Sequence, residues 1–258
     1  MPNAIQLMKD IYGNYVIQKV IERGDQSQKT ALFNVMSGKV YELSCQVYGC
    51  RVVQTVSPSQ GYCEPVLTIL QALQHVLVHQ QAAMVDELKN HVLDCVRDQN
   101  GNHVIQIVVK HVPAEYTHFV VDAFIGNIKH LATHPYGCRV VQRLLDHCVE
   151  PSRSQILREL HACANDLVSD QYGNYVTQHV LEHGCPEDRA KIIALVRQHL
   201  IPYSKQKFAS NVVEKCLNYG NEEQRREIML EISAKAPGCE SALPLLIKDS
   251  FGNYVIRE

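Results

Sequence analysis

The stretch DQYGNYVTQ at residues 170–178 decides the fold, because its pattern recurs along the chain at a fixed spacing. The same frame appears as DQNGNHVIQ at 98–106 and as HPYGCRVVQ at 134–142, and each copy begins 36 residues after the one before it. A fixed period of about 20–50 residues is typical of stacked repeat arrays. The sequence therefore predicts a helical repeat protein rather than a domain with one central core.

Each copy contains three polar or aromatic positions in a constant arrangement, which we call a triangle. The first and second slots are adjacent, and the third slot lies four residues after the first. The seven triangles are, in chain order, Asn14, Tyr15 and Gln18; Cys50, Arg51 and Gln54; Asn102, His103 and Gln106; Cys138, Arg139 and Gln142; Asn174, Tyr175 and Gln178; Ser210, Asn211 and Glu214; and Asn253, Tyr254 and Arg257.

Helix geometry puts the three slots on one face. At about 100° per residue, the third slot lies about 40° and the second slot about 100° from the first. Apolar residues occupy the opposite arc, which in the first copy holds Val16, Ile17, Val20 and Ile21. We expect the apolar arc to pack against neighbouring helices and the triangle to remain accessible.

The chemistry of the triangles favours flat ligands with polar edges. Two hydrogen-bonding side chains stand beside one second-slot side chain, which is Tyr, His or Arg in six of the seven copies. Unpaired nucleic-acid bases stack on aromatic rings or guanidinium planes and are read along their edges. A solvated polar face is the alternative for any single copy, but it does not explain why the same chemistry recurs seven times.

The repeats also resemble a known family. DQNGNHVIQ, HPYGCRVVQ, DQYGNYVTQ and KFASNVVEK at 207–215 are similar to consecutive repeats of the Pumilio (PUF) RNA-binding family, and the resemblance covers nearly the whole chain. It implies an all-α fold, a right-handed α-solenoid crescent of three-helix repeats, with single-stranded RNA on the concave face and one base per repeat. It also implies antiparallel reading, regulation through mRNA 3′ UTR elements, and deadenylation or translational-repression proteins as partners on the convex face.

The triangles differ in the base that each one fits. A carboxylate only accepts hydrogen bonds, and guanine offers two adjacent donors, so Ser210 with Glu214 favours guanine. Glutamine with a small cysteine fits adenine, because the amide can accept from N6 and donate to N1. Asparagine with glutamine fits uracil. Read from the C-terminal end, six triangles spell G-U-A-U-A-U. The last copy places Arg257, which only donates, where the family has glutamine for uracil, so the base specificity of that repeat stays open. The expected target is UGUAUAU-like.

We expect one Pumilio homology domain over residues 1–258, with seven repeats of which the last is incomplete. A longer protein and an incomplete gene model both remain open as the reason why terminal repeats are missing. The step from Cys50 to Asn102 is 52 residues, which predicts an insertion at 55–70 within the second repeat. The insertion contains the helix-breaking run SPSQG at 57–61. An acquired insertion, an unspliced intron in the gene model and a bulged loop all remain open. The step from Ser210 to Asn253 is 43 residues, and its excess falls in the inter-repeat loop at 235–239.

Composition constrains the function less than the repeats do. The formal net charge of −2 and the isoelectric point near 6.7 argue against binding that rests on phosphate neutralisation. Apolar runs of the roughly 20 residues that cross a membrane are absent from the sequence. The ten cysteines are scattered without C-x-x-C pairs, which indicates reduced thiols in a cytoplasmic protein.

An enzymatic reading has one motif in its favour. His179, Glu182 and His183 match the H-x-x-E-H pattern of some zinc peptidases. The equivalent positions of other repeats keep the acidic residue but not the histidines, so the motif is expected to be a helix surface. We therefore predict no enzyme activity, no cofactor and no metal. The second functional class left open is a helical repeat scaffold that binds only proteins.

Overall fold

The structure is a computed structural model that describes residues 3–51, 77–234 and 241–257. Every regular element in these ranges is a helix, and no strand occurs in them. The predicted all-α fold is thus confirmed. Gln54, the 55–70 segment and the 235–239 loop lie outside the described ranges, and the predictions about them stay predictions.

The helices fall into two compact units, Met1–Ile125 with His147–Val149 and Gly126–Asp146 with Glu150–Glu258. The first unit contains, in chain order, α1 (Ala4–Lys9), α2 (Gly13–Arg23), α3 (Gln26–Met36), α4 (Val40–Ser44), α5 (Val47–Arg51), α6 (Val78–Asp86), α7 (Val92–Arg97), α8 (Gly101–His111) and α9 (Ala114–Phe124). That the whole of 1–258 forms one repeat domain remains a prediction.

The second unit repeats the same order of elements. Its helices are α10 (Ile128–Ala132), α11 (Gly137–His147, whose last residue is grouped with the first unit), α12 (Ser152–Ser169), α13 (Gly173–His183), α14 (Pro186–Gln198), α15 (Leu200–Ser204), α16 (Ala209–Tyr219), α17 (Glu222–Ser233), α18 (Leu243–Lys248) and α19 (Gly252–Arg257). A repeat consists of a short helix, an 11-residue helix that begins with the triangle, and a third helix. We call the helices that carry triangles the reading helices.

Local sequence explains where the third helix of a repeat ends. Gly38 and Gly126 adopt positive φ values of 77° and 80° just before the short helices α4 and α10, a conformation that glycine adopts without steric cost. No glycine occurs within 152–169, and α12 runs through without a break. Prolines mark the beginnings of third helices, because Pro113 and Pro151 immediately precede α9 and α12, and Pro186 is the first residue of α14.

The apolar arc of the reading helices forms the core, with one correction. Val104, Val176 and Val212 are fully buried, because α8 packs against α4 and α5, and α13 packs against α16. In α2 the equivalent Val16 was predicted to be buried but is 58% exposed. The physical reason is that no described helix covers this flank of α2, whereas Ile17 on its other flank is buried.

The helices that follow the 55–70 segment return to the repeat register. Glu87 accepts hydrogen bonds from the backbone amides of Gly38 at 2.6 Å and Val40 at 2.9 Å, across sequence separations of 49 and 47 residues. In the second unit, Glu159 accepts the equivalent bond from Gly126 at 2.8 Å across only 33 residues. The difference, 49 less 33, equals the 16 residues of the predicted insertion. The chain after residue 77 therefore occupies ordinary repeat positions.

Candidate nucleic-acid interface

An aspartate four residues before the first slot shapes the turn that starts most reading helices. Before α13, Asp170 Oδ1 accepts hydrogen bonds from the backbone amides of Tyr172 at 2.9 Å and Gly173 at 2.7 Å. The same pair of bonds is made by Asp10, Asp98 and Asp249. These bonds hold the pKa of the Asp10 and Asp249 carboxyl groups below the ordinary value. The bond from the glycine amide has the largest effect, and the bond from the other amide has the second largest. These turns fix the start of the helix and thus the position of the first slot.

A glycine directly before the first slot lets the reading helix approach the short helix that precedes it. A Cβ atom on Gly137 would lie 2.4 Å from the carbonyl oxygen of Leu131, and one on Gly101 would lie 2.8 Å from that of Cys95. Both distances are too short for a real contact, so a side chain here would push the two helices apart. The Ser210 triangle differs, because Ala209 occupies this position and is fully buried.

The first-slot asparagines are buried and bound to the backbone. Asn174 Nδ2 donates to the carbonyl oxygens of Asp170 at 2.9 Å and Gln171 at 3.0 Å, while its Oδ1 accepts from Gln178 Nε2 at 2.8 Å. Asn14 and Asn102 make the same three bonds, with Gln18 and Gln106 as the third-slot donors. Asn253 makes the two backbone bonds at 2.7 and 3.1 Å.

This geometry changes the predicted role of the asparagine. The sequence suggested that two amides reach one uracil, but both Nδ2 protons of Asn174 are used within the helix turn. The asparagine instead fixes the orientation of Gln178. Glutamine then offers Oε1 as an acceptor and one remaining Nε2 proton as a donor. Such a pair matches the N3–H donor and a neighbouring carbonyl acceptor of uracil.

The cysteine triangle leaves a donor unpaired. Cys138 is 1% exposed, burial raises the pKa of its thiol, and its Sγ donates to the Pro135 carbonyl at 3.4 Å. In the asparagine triangles, the first-slot Oδ1 accepts a hydrogen bond from the glutamine, as Asn174 does from Gln178. The Cys138 thiol has no such oxygen to offer Gln142. Nε2 of Gln142 is therefore buried without a hydrogen-bond partner. A buried donor with no acceptor costs about 1–3 kcal/mol, and a ring nitrogen such as N1 of adenine would satisfy it.

The serine triangle presents a different edge. Ser210 is 3% exposed, and its Oγ donates to the Lys207 carbonyl at 3.4 Å. Glu214 lies half-buried one turn further along α16. Asn211 in the second slot is exposed, and its Nδ2 reaches the same Lys207 carbonyl at 3.4 Å. The site thus pairs a carboxylate with a second slot that carries no ring.

The second-slot side chains are exposed wherever the structure describes them. Tyr15 and Tyr175 are each 44% exposed and Tyr254 is 53% exposed. The guanidinium carbon of Arg139 lies 5.2 Å from the centre of the Tyr175 ring, so two consecutive second slots face each other. A base stacked between them needs about twice the ~3.4 Å base spacing, so the two side chains must separate to admit it. In the last triangle, Arg257 lies over its own Tyr254 ring at 5.5 Å.

Six of the seven predicted triangles lie within the residues that the structure describes, and the triangle that begins at Cys50 lies there only in part. The described triangles with all three side chains on one helix face are those that begin at Asn14, Asn102, Cys138, Asn174, Ser210 and Asn253. In the second repeat, the backbone of Cys50 and Arg51 ends helix α5, and Gln54 lies outside the described residues. That triangle remains a prediction.

Side-chain contacts join consecutive reading helices below the triangles. His179 Nε2 donates to Asp146 Oδ1 at 2.8 Å, and Lys215 Nζ lies 3.2 Å from Glu182 Oε2. Within α11, Arg143 contacts the other oxygen of Asp146 at 3.3 Å. Burial lowers the pKa of His179 despite the adjacent carboxylate. Of the H-x-x-E-H residues, His179 and Glu182 thus bond to neighbouring helices, and the His183 ring lies against the His179 ring with centres 4.6 Å apart. Across the described ranges, no cluster of three His, Cys, Asp or Glu side chains is arranged to hold a metal ion.

Sequence reasoning missed two groups of residues that organise this face. The turn aspartates were visible as the recurrent first letter of DQNG and DQYG but were not interpreted. The inter-helix contacts could not be assigned from spacing alone, because each partner also has neighbours on its own helix.

None of the described helices is long and apolar enough to cross a membrane.

Tandem three-helix units whose middle helices present equivalent polar faces define the class of α-helical repeat proteins. A family model described as Pumilio-family RNA binding repeat matches residues 3–37, 39–56, 91–125, 127–161, 164–196 and 199–233. The matched segments make up well over half of the chain and leave out most of the predicted insertion. The chain belongs to the Pumilio (PUF) repeat family.

Relatives and solved structures agree with this assignment. The chain is 46% identical over 138 residues to Pumilio homolog 1 of Xenopus laevis, a match that covers 53% of this chain and 10% of that protein. Pumilio homolog 9 of Arabidopsis thaliana is 30% identical over 162 residues, covering 61% of this chain and 26% of the relative. The chain therefore spans less than a third of the length of either relative.

Two solved structures resemble the fold closely. The Puf3 RNA binding domain bound to a Cox17 RNA 3′ UTR recognition sequence is 39% identical with a TM-score of 0.87, over 99% of this chain and 74% of that one. PUF-8 in complex with PBE-RNA is 33% identical with a TM-score of 0.88, over 99% of this chain and 70% of that one. The helical repeat class predicted from the sequence is confirmed.

Proposed function

We propose that this chain binds single-stranded RNA sequence-specifically, with one base per triangle and UGUA-containing elements of mRNA 3′ UTRs as targets. The observation that carries the proposal is the recurrence, on consecutive reading helices, of an exposed flat side chain beside a buried first-slot group and a half-buried third-slot group. A protein-binding surface has no reason to repeat this arrangement from one repeat to the next. The RNA-bound relatives support the proposal by analogy.

The details of three triangles support three bases of the UGUAUAU-like heptamer that we propose, and antiparallel reading is what the resemblance to the family implies. Gln178, oriented by Asn174, complements uracil. The unpaired Nε2 of Gln142 suits the N1 acceptor of adenine. The Glu214 carboxylate suits the two donors of guanine, because a carboxylate accepts hydrogen bonds at both oxygens and donates none. The third, fourth and second bases of the heptamer follow from these three residues.

The biological consequence we propose is repression or decay of the bound mRNA in the cytoplasm, through recruited proteins rather than through chemistry of this chain. The helix α17 is the third helix of the repeat that contains the Ser210 triangle, and it carries no triangle itself. Its side chains Met229 and Leu230 are 63% and 60% exposed. Apolar side chains of this size at adjacent exposed positions support a protein contact. Deadenylation or translational-repression proteins are the partners that we propose for such a surface.

A titration of labelled UGUAUAU RNA against the purified chain tests the proposed function. We expect binding at least about 100-fold tighter than to a scrambled heptamer of the same composition, because each mismatched position leaves edge donors or acceptors unpaired at a cost of about 1–3 kcal/mol. Fluorescence anisotropy at fixed salt measures both affinities. Equal affinity for the two RNAs would leave only charge-driven contact, and no binding to either would favour the protein-scaffold alternative.

Tyr175→Ala is expected to weaken RNA binding by about 1–3 kcal/mol, because it removes an exposed base platform. The loss should be the same whichever base occupies the adjacent positions, since stacking is tolerant of base identity. Tyr175→Phe is the matched control, because it keeps the ring and should bind as the parent does. An unchanged affinity of the alanine variant would show that RNA does not contact this face of α13.

A further inference from the structure

The turn before one reading helix contains a histidine at the position where the turns before four others contain aspartate. His134 stands four residues before Cys138, at the position of Asp170 in the following repeat. Its Nδ1 accepts hydrogen bonds from the backbone amides of Tyr136 at 3.3 Å and Gly137 at 3.2 Å. These are the same two amides, by position, that Asp170 binds before α13. An imidazole nitrogen thus replaces a carboxylate oxygen at an equivalent turn.

The turn governed by His134 carries the cysteine triangle. The Cys138 amide donates to the His134 carbonyl at 3.1 Å, and the Arg139 amide donates to the Tyr136 carbonyl at 3.1 Å. The thiol of Cys138 donates to the carbonyl of Pro135, within the same turn. The first and second slots are therefore positioned by a turn that depends on the two bonds to Nδ1. His134 does not touch the base site itself and acts as a positioning residue.

The replacement changes how the turn responds to acid. A neutral imidazole accepts at one nitrogen, whereas both nitrogens of a protonated imidazole are donors. Protonation of Nδ1 would set an N–H group against two backbone N–H groups and remove both bonds. The bonded conformation therefore requires the neutral ring. Its stabilisation is present while the ring is neutral and is lost as the pH falls and the ring becomes protonated.

The aspartate turns respond at much lower pH. The amide bonds hold the pKa of the Asp10 and Asp249 carboxyl groups below the ordinary value, so these groups remain acceptors throughout the range in which histidine titrates. Their contribution is present above the unfolded carboxyl pKa of about 4 and is lost only below it. Between about pH 7.5 and pH 5.5, the His134 turn is the one expected to change among these five.

The surroundings of His134 contain several other ionisable groups. On the second-unit elements around this turn these are, in chain order, Lys129, His130, Tyr136, Cys138, Arg139, Asp166 and Asp170. Lys129 and Asp166 bond to each other at 2.5 Å, and the Tyr136 ring meets the His134 ring edge-on with centres 5.7 Å apart. Asp170 accepts the two amides of its own turn. None of these contacts supplies a substitute acceptor for the Tyr136 and Gly137 amides.

We infer that His134 is a pH-sensitive positioning residue that makes recognition by the Cys138 triangle weaken in mild acid, while the triangles preceded by aspartate are unaffected. This inference rests on the proposed RNA-binding function, because it concerns the base at that triangle, the adenine of UGUA. It identifies a single position of the RNA whose recognition depends on protonation of the protein.

The test compares the parent chain with His134→Asp and His134→Asn. Both variants supply a side-chain oxygen that accepts the two amides without titrating in this range, and aspartate is the residue that the other turns use. Binding to UGUAUAU is measured against the heptamer with uracil at the fourth base, at about pH 7.5 and about pH 5.5. For the parent we expect the preference for adenine to fall about tenfold or more, which corresponds to loss of hydrogen bonds at this turn.

The variants and a second base provide the internal controls. His134→Asp and His134→Asn should keep their adenine preference within about twofold over the same pH range. Preference for uracil at the third base, opposite Asn174, should hold in all three proteins. An equal fall of adenine preference in the parent and in both variants would overturn the inference, because other histidines would then be responsible. A parent preference independent of pH would overturn it as well.

Amide hydrogen exchange separates failure of this inference from failure of the proposed function. Protection of the Tyr136 and Gly137 amides should decrease in mild acid in the parent but not in His134→Asp, relative to the Tyr172 and Gly173 amides. This result together with an absence of any preference for UGUAUAU would confirm the acid-sensitive turn and refute the RNA proposal. Unchanged protection of Tyr136 and Gly137 across the range would refute the role of His134 whatever the RNA result.

Discussion

Ser210→Asn combined with Glu214→Gln is expected to convert the guanine-preferring triangle into a uracil-preferring one. The parent carboxylate accepts from two guanine donors, and each hydrogen bond to a charged group is worth about 1.5–3 kcal/mol as an upper scale. The second slot holds Asn211, which provides no ring, so edge contacts carry more of the selectivity here than elsewhere. Anisotropy titrations use RNAs with guanine or uracil at the second base. The parent should prefer guanine by about 10- to 100-fold, and the double variant should prefer uracil by a similar factor.

The structure explains why asparagine at 210 and glutamine at 214 should adopt the geometry of Asn174 and Gln178. An asparagine at 210 would find the carbonyls of Gln206 and Lys207 at the positions that Asp170 and Gln171 supply to Asn174. Its Oδ1 would then orient the new glutamine, as Asn174 orients Gln178. Ser210→Cys with Glu214→Gln is the matched control, because it reproduces the cysteine triangle and should select adenine at the same base. Selectivity at the neighbouring positions should hardly change in either variant.

Two outcomes would contradict this prediction. Retained guanine preference in the asparagine variant would show that Ser210 and Glu214 do not read this base. Loss of selectivity along the entire RNA would show that the triangles do not act independently. Ala209, which replaces the glycine of other repeats, makes the control necessary, because a different helix approach there could affect both variants alike.

Scrambling the UGUA half of the heptamer is expected to weaken binding about 10³-fold or more, whereas changing the 3′ AU should cost about tenfold or less. UGUA faces the triangles at Asn253, Ser210, Asn174 and Cys138, which follow one another without the 55–70 segment. The 3′ adenine faces the second repeat, in which that segment directly follows Gln54. Competition titrations with the two half-scrambled RNAs measure the difference.

A variant without residues 55–70 is the matched control for this asymmetry. The deletion joins RVVQ directly to QALQHV, which restores in sequence the frame RVVQ-RLLDHC of residues 139–148. The Glu87 contacts to Gly38 and Val40 already place the following helices in register, so the deletion should be tolerated. The deletion variant should gain affinity through the 3′ adenine. Equal losses from both half-scrambles in the parent would show that the second repeat reads its base normally.

The fold was readable from the sequence because its signals are local and repeated. The period of 36 residues and the helical spacing of apolar positions both describe short-range geometry. The structure confirms them wherever it describes the chain. Val16 is the instructive exception, since its spacing is that of a core residue but its burial depends on whether a neighbouring helix covers it. Periodicity identifies which side of a helix is apolar and does not show what lies against that side.

The identity of the triangle residues was likewise determined by the sequence, but their division of labour was not. Spacing alone placed Asn174 and Gln178 on one face and suggested equal roles. Only the folded turn shows that the carbonyls of Asp170 and Gln171 take both amide protons of Asn174, so that the asparagine orients the glutamine. Hydrogen-bond partners depend on where backbone groups are left unsatisfied at a helix start, and this follows from three-dimensional geometry.

The same distinction applies to His134 and Gln142. The sequence alone determined that a histidine stands where other repeats have aspartate, and that cysteine stands where others have asparagine. The tertiary structure decided that the imidazole accepts two backbone amides and that Nε2 of Gln142 is buried without a partner. A substitution changes which donors and acceptors a side chain carries, and the fold decides which of them are enclosed away from water. Unmet hydrogen-bonding capacity is costly only in such enclosed places, and there it favours a ligand that satisfies it.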